Sequence, residues 1–157
     1  AYTDAMTKVR NRSAFEQVRN RIADTGSDAS MTVFMFDINN LKHTNDTYGH
    51  QAGDDIIQRA AELLHTVFHD IGQLYRIGGD EFLLLVEHSH IAQAKLYAQQ
   101  LHEKARGIRL HNYQLTLSIG IAYSRPTDSY QDLFMRADMA MYEAKRKGRN
   151  QTAVHET

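Results

Sequence analysis

The sequence predicts an α+β domain in which helices flank a mixed, largely antiparallel central sheet of about five strands. Three observations indicate this class. Stretches with apolar residues at helical spacing alternate with short apolar runs, two of these runs are separated by the pair Gly78-Gly79, and the others are separated by predicted helices. Runs joined by a tight turn pair antiparallel, whereas strands joined across a helix can run parallel.

The first half of the chain contains three predicted helices and one buried strand. The first helix begins at Ser13, a residue type that caps helices. The apolar run 31–36 predicts a buried strand that ends in the carboxylate of Asp37. Residues 38–48 predict a short helix. After a turn, a long amphipathic helix begins at Asp54, where acidic residues suit the positive end of the helix dipole.

The second half contains a hairpin, two helices and the remaining strands. The hairpin pairs residues 73–77 with 82–86, and the two glycines between them predict a tight turn with positive φ. The elements that follow are a helix over 89–106, a short strand over 108–110, a strand over 113–122, a helix over 129–147 and an edge strand over 151–154. We expect Leu96 and Tyr142 to face the core.

Composition excludes several classes of function. The chain has 157 residues, 42% of them hydrophobic, which suits one domain with an ordinary core. The formal net charge is −1, so no global charge attracts nucleic acid or a membrane surface. The absence of cysteine excludes disulfides and thiolate metal sites. The chain begins with Ala1 rather than Met, and we therefore expect one domain, residues 1–157, excised from a longer protein.

Acidic side chains stand where two predicted strands meet their turns. Asp37 ends the first strand, and Asp80 and Glu81 precede the second run of the hairpin. Like charges at the edge of a core are costly unless a cation or hydrogen-bond donors meet them. If the two strands are neighbours, the carboxylates emerge at one end of the sheet, where hard oxygen ligands suit Mg²⁺ bound to phosphate. Solvated acidic turns are the alternative interpretation.

Two further groups of residues indicate a nucleotide. Lys145 and Arg149 lie four residues apart and share a helical face if the last helix extends that far, where they would hold a triphosphate. Asn45 and Asp54 offer a donor amide and an acceptor carboxylate, the complement of a guanine edge. A solvated basic helix end and ordinary polar turns are the alternatives. The residue patterns alone predict a Mg²⁺–phosphate site on an α+β sheet.

Residues 76–82, Arg-Ile-Gly-Gly-Asp-Glu-Phe, resemble the signature of the GGDEF family, the diguanylate cyclases. Further motifs that resemble those of the family follow in family order and span nearly the whole chain. They stand at residues 4–12, 37–42, 45–54, 117–122, 137–142 and 144–150. The resemblance implies a palm-like nucleotidyl cyclase fold and a nucleotidyltransferase that condenses two GTP molecules into cyclic di-GMP, with release of two pyrophosphates.

The resemblance also implies roles for single residues. Asp37 and Asp80 would bind two Mg²⁺ ions, for which Mn²⁺ can substitute, and the Ile38 carbonyl would assist. Glu81 would be a further metal ligand or the general base, so that Asp37, Asp80 and Glu81 are the expected catalytic residues. The implied substrate-binding residues are Asn45 and Asp54 for guanine, Lys42, Lys145 and Arg149 for the β- and γ-phosphates, and Gly78 and Gly79 in the turn.

In this family one domain holds one GTP, so the resemblance implies that two domains must face each other. We expect a homodimer that is weak for this chain alone, with GTP as the substrate. An upstream sensor or dimerisation domain is expected in the full-length protein. We expect the domain to lie in the cytoplasm, without contact with nucleic acid or the membrane, whether or not the full-length protein is anchored there.

Three places depart from the family pattern. Lys8 replaces a glycine, which we expect to loosen its turn, and Asn39 replaces a common Asp with little expected loss. Residues 69–72 stand in place of the family's Arg-x-x-Asp motif, so we expect no product inhibition through that site. The alternatives are a non-catalytic GTP-binding or partner-binding module on the same fold and a polymerase-like or adenylate-type nucleotidyl transferase that accepts ATP. The intact residues 78–82 argue against the first, and Asp54 argues against the second.

Overall fold

Five helices and seven strands make up the part of the chain that the computed structural model describes, residues 1–25, 30–89, 91–126 and 129–155. They are α1 (Arg12–Thr25), β1 (Thr32–Ile38), α2 (Leu41–Tyr48), α3 (His50–Phe68), β2 (Gln73–Arg76), β3 (Glu81–Val86), α4 (Ala94–Ala105), β4 (Arg109–Leu110), β5 (Tyr113–Gln114), β6 (Leu117–Tyr123), α5 (Tyr130–Arg146) and β7 (Thr152–Val154). Within the described ranges, no helix has the length and apolar character needed to cross a membrane.

Five of the strands form one mixed sheet, in the order β2-β3-β1-β6-β7. The central strand β1 pairs antiparallel with both β3 and β6. β2 pairs antiparallel with β3, and β7 pairs parallel with β6. The strands β4 and β5 form a separate two-stranded hairpin. The predicted class, an α+β fold with a mixed and largely antiparallel five-stranded sheet, is confirmed.

Helices cover both faces of the sheet. Phe34 and Phe36 of β1 pack among α3 and α4, whereas Val33 and Met35 pack among α1 and α5. Successive side chains of a strand point to opposite faces, so Asp37 continues the series of Val33 and Met35. Its carboxylate accordingly contacts α5. The end of the central strand therefore opens towards the layer formed by α1 and α5.

Two predicted boundaries differ because tight local geometry was not recognised. α3 begins at His50 rather than Asp54, since Gly49, with φ 90°, already makes the turn out of α2. Asp54 therefore does not lie in the first turn of the helix. The strand predicted over 113–122 is divided into β5 and β6. Leu115 bonds back to residue 108 beside the hairpin, and pairing with β1 begins only at Leu117.

The turn between β2 and β3 has a different backbone geometry from the one predicted. Residues 77–80 connect the two strands, and neither Gly78 nor Gly79 has a positive φ. The N–H of Ile77 donates to the carbonyl of Glu81 at 3.0 Å. Primed turns require positive φ at a central residue, and neither glycine has it, so the prediction of a tight primed turn was wrong although the hairpin itself is present.

The predicted start of α4 and the predicted orientation of two helix side chains were also wrong. Helix α4 begins at Ala94, because the N–H of Ile91 is held by the hydroxyl of Thr32 at 3.0 Å and this segment is tied to β1 instead. Leu96 and Tyr142 are exposed by 45% and 68% rather than facing the core. Each lies one or two residues away from a stripe of buried small and apolar side chains on its own helix, and 100° per residue turns it outwards.

The turn at residues 4–9 closes despite the lysine at its glycine position. The N–H of Lys8 donates to the Asp4 carbonyl at 2.8 Å, and the N–H of Asp4 donates to the Val9 carbonyl at 2.7 Å. Lys8 has φ 67°, in the left-handed region where a side chain is unfavourable and glycine is not. The lysine therefore carries a local conformational cost.

We predict that Lys8→Gly raises the free energy of unfolding by about 1 kcal/mol, because glycine removes the left-handed cost of the side chain. Urea denaturation measures the change. Asn40→Gly is the matched control: Asn40 has φ 60°, and a smaller gain is expected there because asparagine tolerates this conformation. An unchanged or lower stability of Lys8→Gly would contradict the prediction.

Candidate active site

The ends of β1 and β3 bring together the acidic residues singled out in the sequence. Asp37 is the register partner of Glu81 in the antiparallel pair. The N–H of Ile38 donates to the carbonyl of Asp80 at 3.0 Å, so the last residue of β1 is bonded to the turn itself. The two strands are neighbours, as the metal hypothesis required. Asp37, Asp80 and Glu81 therefore share one end of the sheet.

Asp37 is the most deeply buried of these carboxylates, with 4% of the residue exposed. Burial, aided by the negative charges of Asp80 and Glu81 and opposed by Lys145, raises the pKa of Asp37 to about 6. The Lys145 ammonium forms an ion pair with Oδ2 of Asp37. Oδ1 is buried and has no hydrogen-bond partner among the described residues. One oxygen of a costly buried carboxylate thus lacks a compensating donor.

The surroundings of Glu81 carry the same excess of negative charge. Burial raises the pKa of Glu81, and the charges of Asp80 and Asp138 add to the effect. The cations Lys145 of α5 and Arg12 of α1 lower it in opposition. Repulsion among several carboxylates is therefore only partly offset by the basic side chains nearby.

A hard cation fits this set of donors. Carboxylate oxygens of Asp37, Asp80 and Glu81, with a backbone carbonyl such as that of Ile38, are the ligand types that Mg²⁺ takes. The unpartnered Oδ1 of Asp37 is a buried acceptor of the kind that a cation satisfies. Among the described residues, no three acidic or histidine side chains are already gathered as a complete metal site. Water or phosphate oxygens would have to complete the coordination.

The N-terminal segment clamps the turn that carries Asp80. Arg76 donates to the Gly79 carbonyl at 2.8 Å and to the Asp4 carboxylate at 3.2 Å. Arg12 donates to the Ile77 carbonyl at 2.8 Å. No role was predicted from the sequence for Asp4, Arg12 or Arg76. All three lie within motifs that resemble those of the family, and this position in the motifs could have indicated a role for them.

Asn45 and Gly53 form a close contact between α2 and α3. A Cβ at Gly53 would stand 1.7 Å from Oδ1 of Asn45, so only glycine leaves room for this side chain. Oδ1 of Asn45 is buried and has no hydrogen-bond partner in the described part of the chain. Asp54 follows Gly53 directly and is half-buried. The two residues predicted to read guanine thus lie in the same corner.

The predicted phosphate-binding residues are arranged differently from the prediction. α5 ends at Arg146, and Gly148, with φ 123°, reverses the chain so that the N–H of Arg149 caps the helix at the Ala144 carbonyl, 3.0 Å away. Lys145 and Arg149 therefore do not share a helical face. The Lys42 side chain is 93% exposed, and its ammonium lies 3.7 Å from Asp46. Of these basic residues, only Lys145 is shown in contact with the acidic site.

Comparison with known proteins identifies the family. The family described as "Diguanylate cyclase, GGDEF domain" matches residues 1–151. The chain therefore belongs to the GGDEF family. This agrees with the order of the motifs and with the position of residues 78–82, which form the end of the turn and the start of β3 beside the end of β1.

Curated relatives cover almost all of the chain but are longer. Diguanylate cyclase DgcS of Shewanella oneidensis is 30% identical over 152 residues, which is 96% of this chain and 51% of the relative. Diguanylate cyclase VdcA of Vibrio cholerae is 32% identical over 157 residues, or 96% of this chain and 46% of the relative. The chain spans about half the length of these relatives.

Solved structures match the fold closely. The GGDEF domain of DgcB from Caulobacter crescentus, in complex with c-di-GMP, has a TM-score of 0.90 and 29% identity, covering 100% of this chain and 97% of that one. A structure with the coiled coil and GGDEF domain of DgcB, also with c-di-GMP, has a TM-score of 0.89 and 26% identity, covering 98% and 85%. The expected palm-like cyclase fold is confirmed.

We predict that Asp37→Asn stabilises the protein without divalent cations, by about 1–3 kcal/mol near pH 7.5, because it removes a charge that burial disfavours. The folded-state pKa lies above the ordinary value, so the wild type gains stability as the pH falls through it. The difference between variant and wild type should therefore shrink as the pH falls from about 6 towards about 4.

Urea denaturation in EDTA at several pH values tests this expectation. Asp70→Asn is the control, since 86% of the Asp70 side chain is exposed and no change is expected there. A variant less stable than the wild type near neutral pH, or a stability gap independent of pH, would refute the proposed cost of the buried charge.

Proposed function

We propose that the domain is a diguanylate cyclase, which binds GTP with Mg²⁺ and condenses two GTP molecules into cyclic di-GMP and two pyrophosphates. The observation that carries the proposal is the acidic end of the β1–β3 pair, where Asp37 faces Glu81 and Asp80 adjoins both. Membership of the GGDEF family supports it, as do relatives named diguanylate cyclases and the c-di-GMP complexes of DgcB.

Asp37, Asp80 and Glu81 would hold the metal ions together with the Ile38 carbonyl. Bound Mg²⁺, or Mn²⁺ in its place, supplies charge that eases deprotonation of the attacking 3′-hydroxyl and neutralises the leaving pyrophosphate. The raised pKa of Glu81 makes its carboxylate more basic than usual. That suits Glu81 as a ligand or as the acceptor of the hydroxyl proton.

Lys145 would serve two states of the site. Its ammonium neutralises Asp37 in the structure, and no other basic side chain is shown paired with that carboxylate within the described residues. A cation at Asp37 would compete with Lys145 for the charge of the same carboxylate. Lys145 would then turn to the β- and γ-phosphates of GTP, and the exposed side chains of Lys42 and Arg149 would join it there.

Asn45 and Asp54 would select guanine. The N1–H and the exocyclic amine of guanine are donors, for which a carboxylate is the natural acceptor, whereas adenine has no donor at N1. The unpartnered Oδ1 of Asn45 supports such a role, because a buried acceptor without a donor is costly until a ligand satisfies it. This pair argues against a transferase that accepts ATP equally.

Two copies of the domain would be needed for turnover, since the described part of the chain offers one such site and the reaction joins two GTP molecules. We propose a weak homodimer that segments outside the domain stabilise in the longer protein, as the length of the relatives and the coiled coil of DgcB suggest. The reaction would take place in the cytoplasm, where GTP is available. Residues 69–72, His-Asp-Ile-Gly, would give no Arg-x-x-Asp product-inhibition site.

We predict that the protein at high concentration, incubated with GTP and Mg²⁺, forms cyclic di-GMP that chromatography separates from GTP. Asp80→Ala should lower the rate by about 10²–10³-fold because it removes a metal-binding charge from the reacting centre. Asp70→Ala, at an exposed position, should retain the wild-type rate.

The outcomes separate the competing functions. GTP binding without any cyclic di-GMP would replace the proposal with a non-catalytic GTP-binding module. Turnover of ATP at a rate similar to that of GTP would indicate a relaxed nucleotidyl transferase. Activity that survives an excess of EDTA would contradict the metal assignment.

We predict that Gly53→Ala weakens GTP binding about tenfold, because the new methyl group displaces the Asn45 side chain. The helix itself should not suffer, since alanine is favoured over glycine within helices by about 0.5–1 kcal/mol. Isothermal titration with GTP and thermal unfolding measure the two effects.

A double-mutant cycle supplies the control. Asn45→Ala should weaken binding by a similar factor, and Asn45→Ala combined with Gly53→Ala should be no worse than Asn45→Ala alone. Additive losses would show that Gly53 does not act through Asn45.

A further inference from the structure

We propose that the β4–β5 hairpin is a positioning element that holds both ends of the nucleotide site, with Tyr113 fixing the loop after Asp37 and with His111 and Asn112 fixing helices α2 and α3. The proposal rests on the proposed function, because it concerns the residues that would bind metal and guanine. None of the family-like motifs includes the hairpin.

Tyr113 holds the metal end. The residue is buried, and its hydroxyl donates a hydrogen bond to the backbone carbonyl of Asn39. Asn39 follows Asp37 and Ile38 directly, so the bond fixes the backbone that carries two proposed metal ligands. A buried carbonyl that loses its donor is destabilised, and its segment can relax to find another partner. The tyrosine hydroxyl therefore controls the path of this loop.

The residues that follow β5 form further hydrogen bonds with the loop after Asp37. The side-chain amide of Asn39 donates to Oγ1 of Thr116 at 3.0 Å and accepts from the hydroxyl of Ser118 at 2.9 Å. The N–H of Asn39 donates to the Thr116 carbonyl at 3.1 Å. An amide can donate and accept at once, which explains how asparagine serves where an aspartate is common in the family. Outer-shell bonds of this kind orient metal ligands.

The tip of the hairpin contacts the two helices that carry the proposed guanine-binding residues, which we call the guanine end of the site. Asn112 donates to the hydroxyl of Tyr48, the last residue of α2, at 3.2 Å. Nε2 of His111 lies 2.9 Å from the carboxylate of Asp55. Asp55 adjoins Asp54 in α3. The two contacts therefore bracket the connection between the helices that carry the proposed guanine-reading residues.

The hairpin turn fixes the position of the Tyr113 contact relative to the contacts of His111 and Asn112. His111 and Asn112 are the two central residues of the hairpin turn, with φ 53° and 58°. Two successive left-handed residues are typical of the tightest hairpin turn, in which Asn-Gly is the preferred pair. Asparagine and histidine tolerate that conformation better than most side chains but less well than glycine, and the contact of His111 with Asp55 offsets the remaining cost. Tyr113 follows at once, so the metal and guanine ends are held at a fixed separation.

The test of the metal end is Tyr113→Phe, which keeps the ring and removes the hydroxyl. Electron paramagnetic resonance measures Mn²⁺ binding in the presence of a GTP analogue that cannot react at its α-phosphate. The half-saturating Mn²⁺ concentration should rise about tenfold, the scale of outer-shell substitutions. Affinity for the analogue in EDTA should stay within about twofold, because the guanine end is untouched.

Tyr75→Phe is the matched control. It removes one hydroxyl from another tyrosine that is buried, 2% exposed, and that packs in the other apolar cluster among α1 and α5. Its Mn²⁺ binding should equal that of the wild type. Thr116→Val removes the hydroxyl that Asn39 contacts, and it should raise the half-saturating Mn²⁺ concentration severalfold, so the loop is tested even if Tyr113→Phe fails to fold.

The double substitution His111→Gly with Asn112→Gly tests the guanine end. Glycine favours the same turn, so the hairpin should persist while both side-chain contacts are lost. Analogue affinity in EDTA should fall by about three- to tenfold. An unchanged affinity would overturn the assignment of the hairpin tip.

Two results for the metal end have different meanings. If the wild type binds no Mn²⁺ with the analogue, the proposed function itself fails. If the wild type binds Mn²⁺ and Tyr113→Phe binds it equally well, the positioning role is overturned, even where the melting temperature of the variant is lower. A lower melting temperature alone would mark the hydroxyl as merely structural.

Discussion

The antiparallel pairing of β1 with β3 is the constraint on which the site depends. It sets Asp37 opposite Glu81 and bonds the end of β1 to Asp80 through the N–H of Ile38. β6 pairs with the other edge of β1, so the strand that carries Asp37 cannot shift to relieve repulsion among the carboxylates. Relief has to come from cations, and α5 supplies one in Lys145. The fold thus accepts a local electrostatic cost that an ordinary core would avoid.

The electrostatic cost of these carboxylates is limited because they lie at the edge of the core rather than within it. Below the strand end, the neighbouring residues on the same face of β1 and β3 are apolar and fully packed between the sheet and the helices α1 and α5. The carboxylates therefore stand at the boundary between core and solvent, where the effective dielectric is low enough to strengthen a charged ligand's interactions. A triphosphate with its cations would enter from the open side, while the packed side keeps the acceptors in place.

The sequence predicted what local patterns encode, and it missed what tertiary contacts decide. The apolar runs, the hairpin and the acidic strand ends were predicted because each is a short-range signal. The exposure of Tyr142 and the start of α3 at His50 were missed, because they depend on how the helices pack and how one glycine turns. The ion pair of Lys145 with Asp37 and the bond from Tyr113 to Asn39 join distant parts of the chain, which no spacing rule reports.

Polar contacts tie the amino-terminal segment to the turn that carries Asp80. Arg76 holds both the Asp4 carboxylate and the Gly79 carbonyl, and Arg12 at the start of α1 holds Ile77. A movement of the first residues of the domain would therefore shift Asp80 through these hydrogen bonds rather than through the hydrophobic core. A displacement of the amino-terminal segment would therefore be transmitted directly to the turn that contains Gly78 and Gly79.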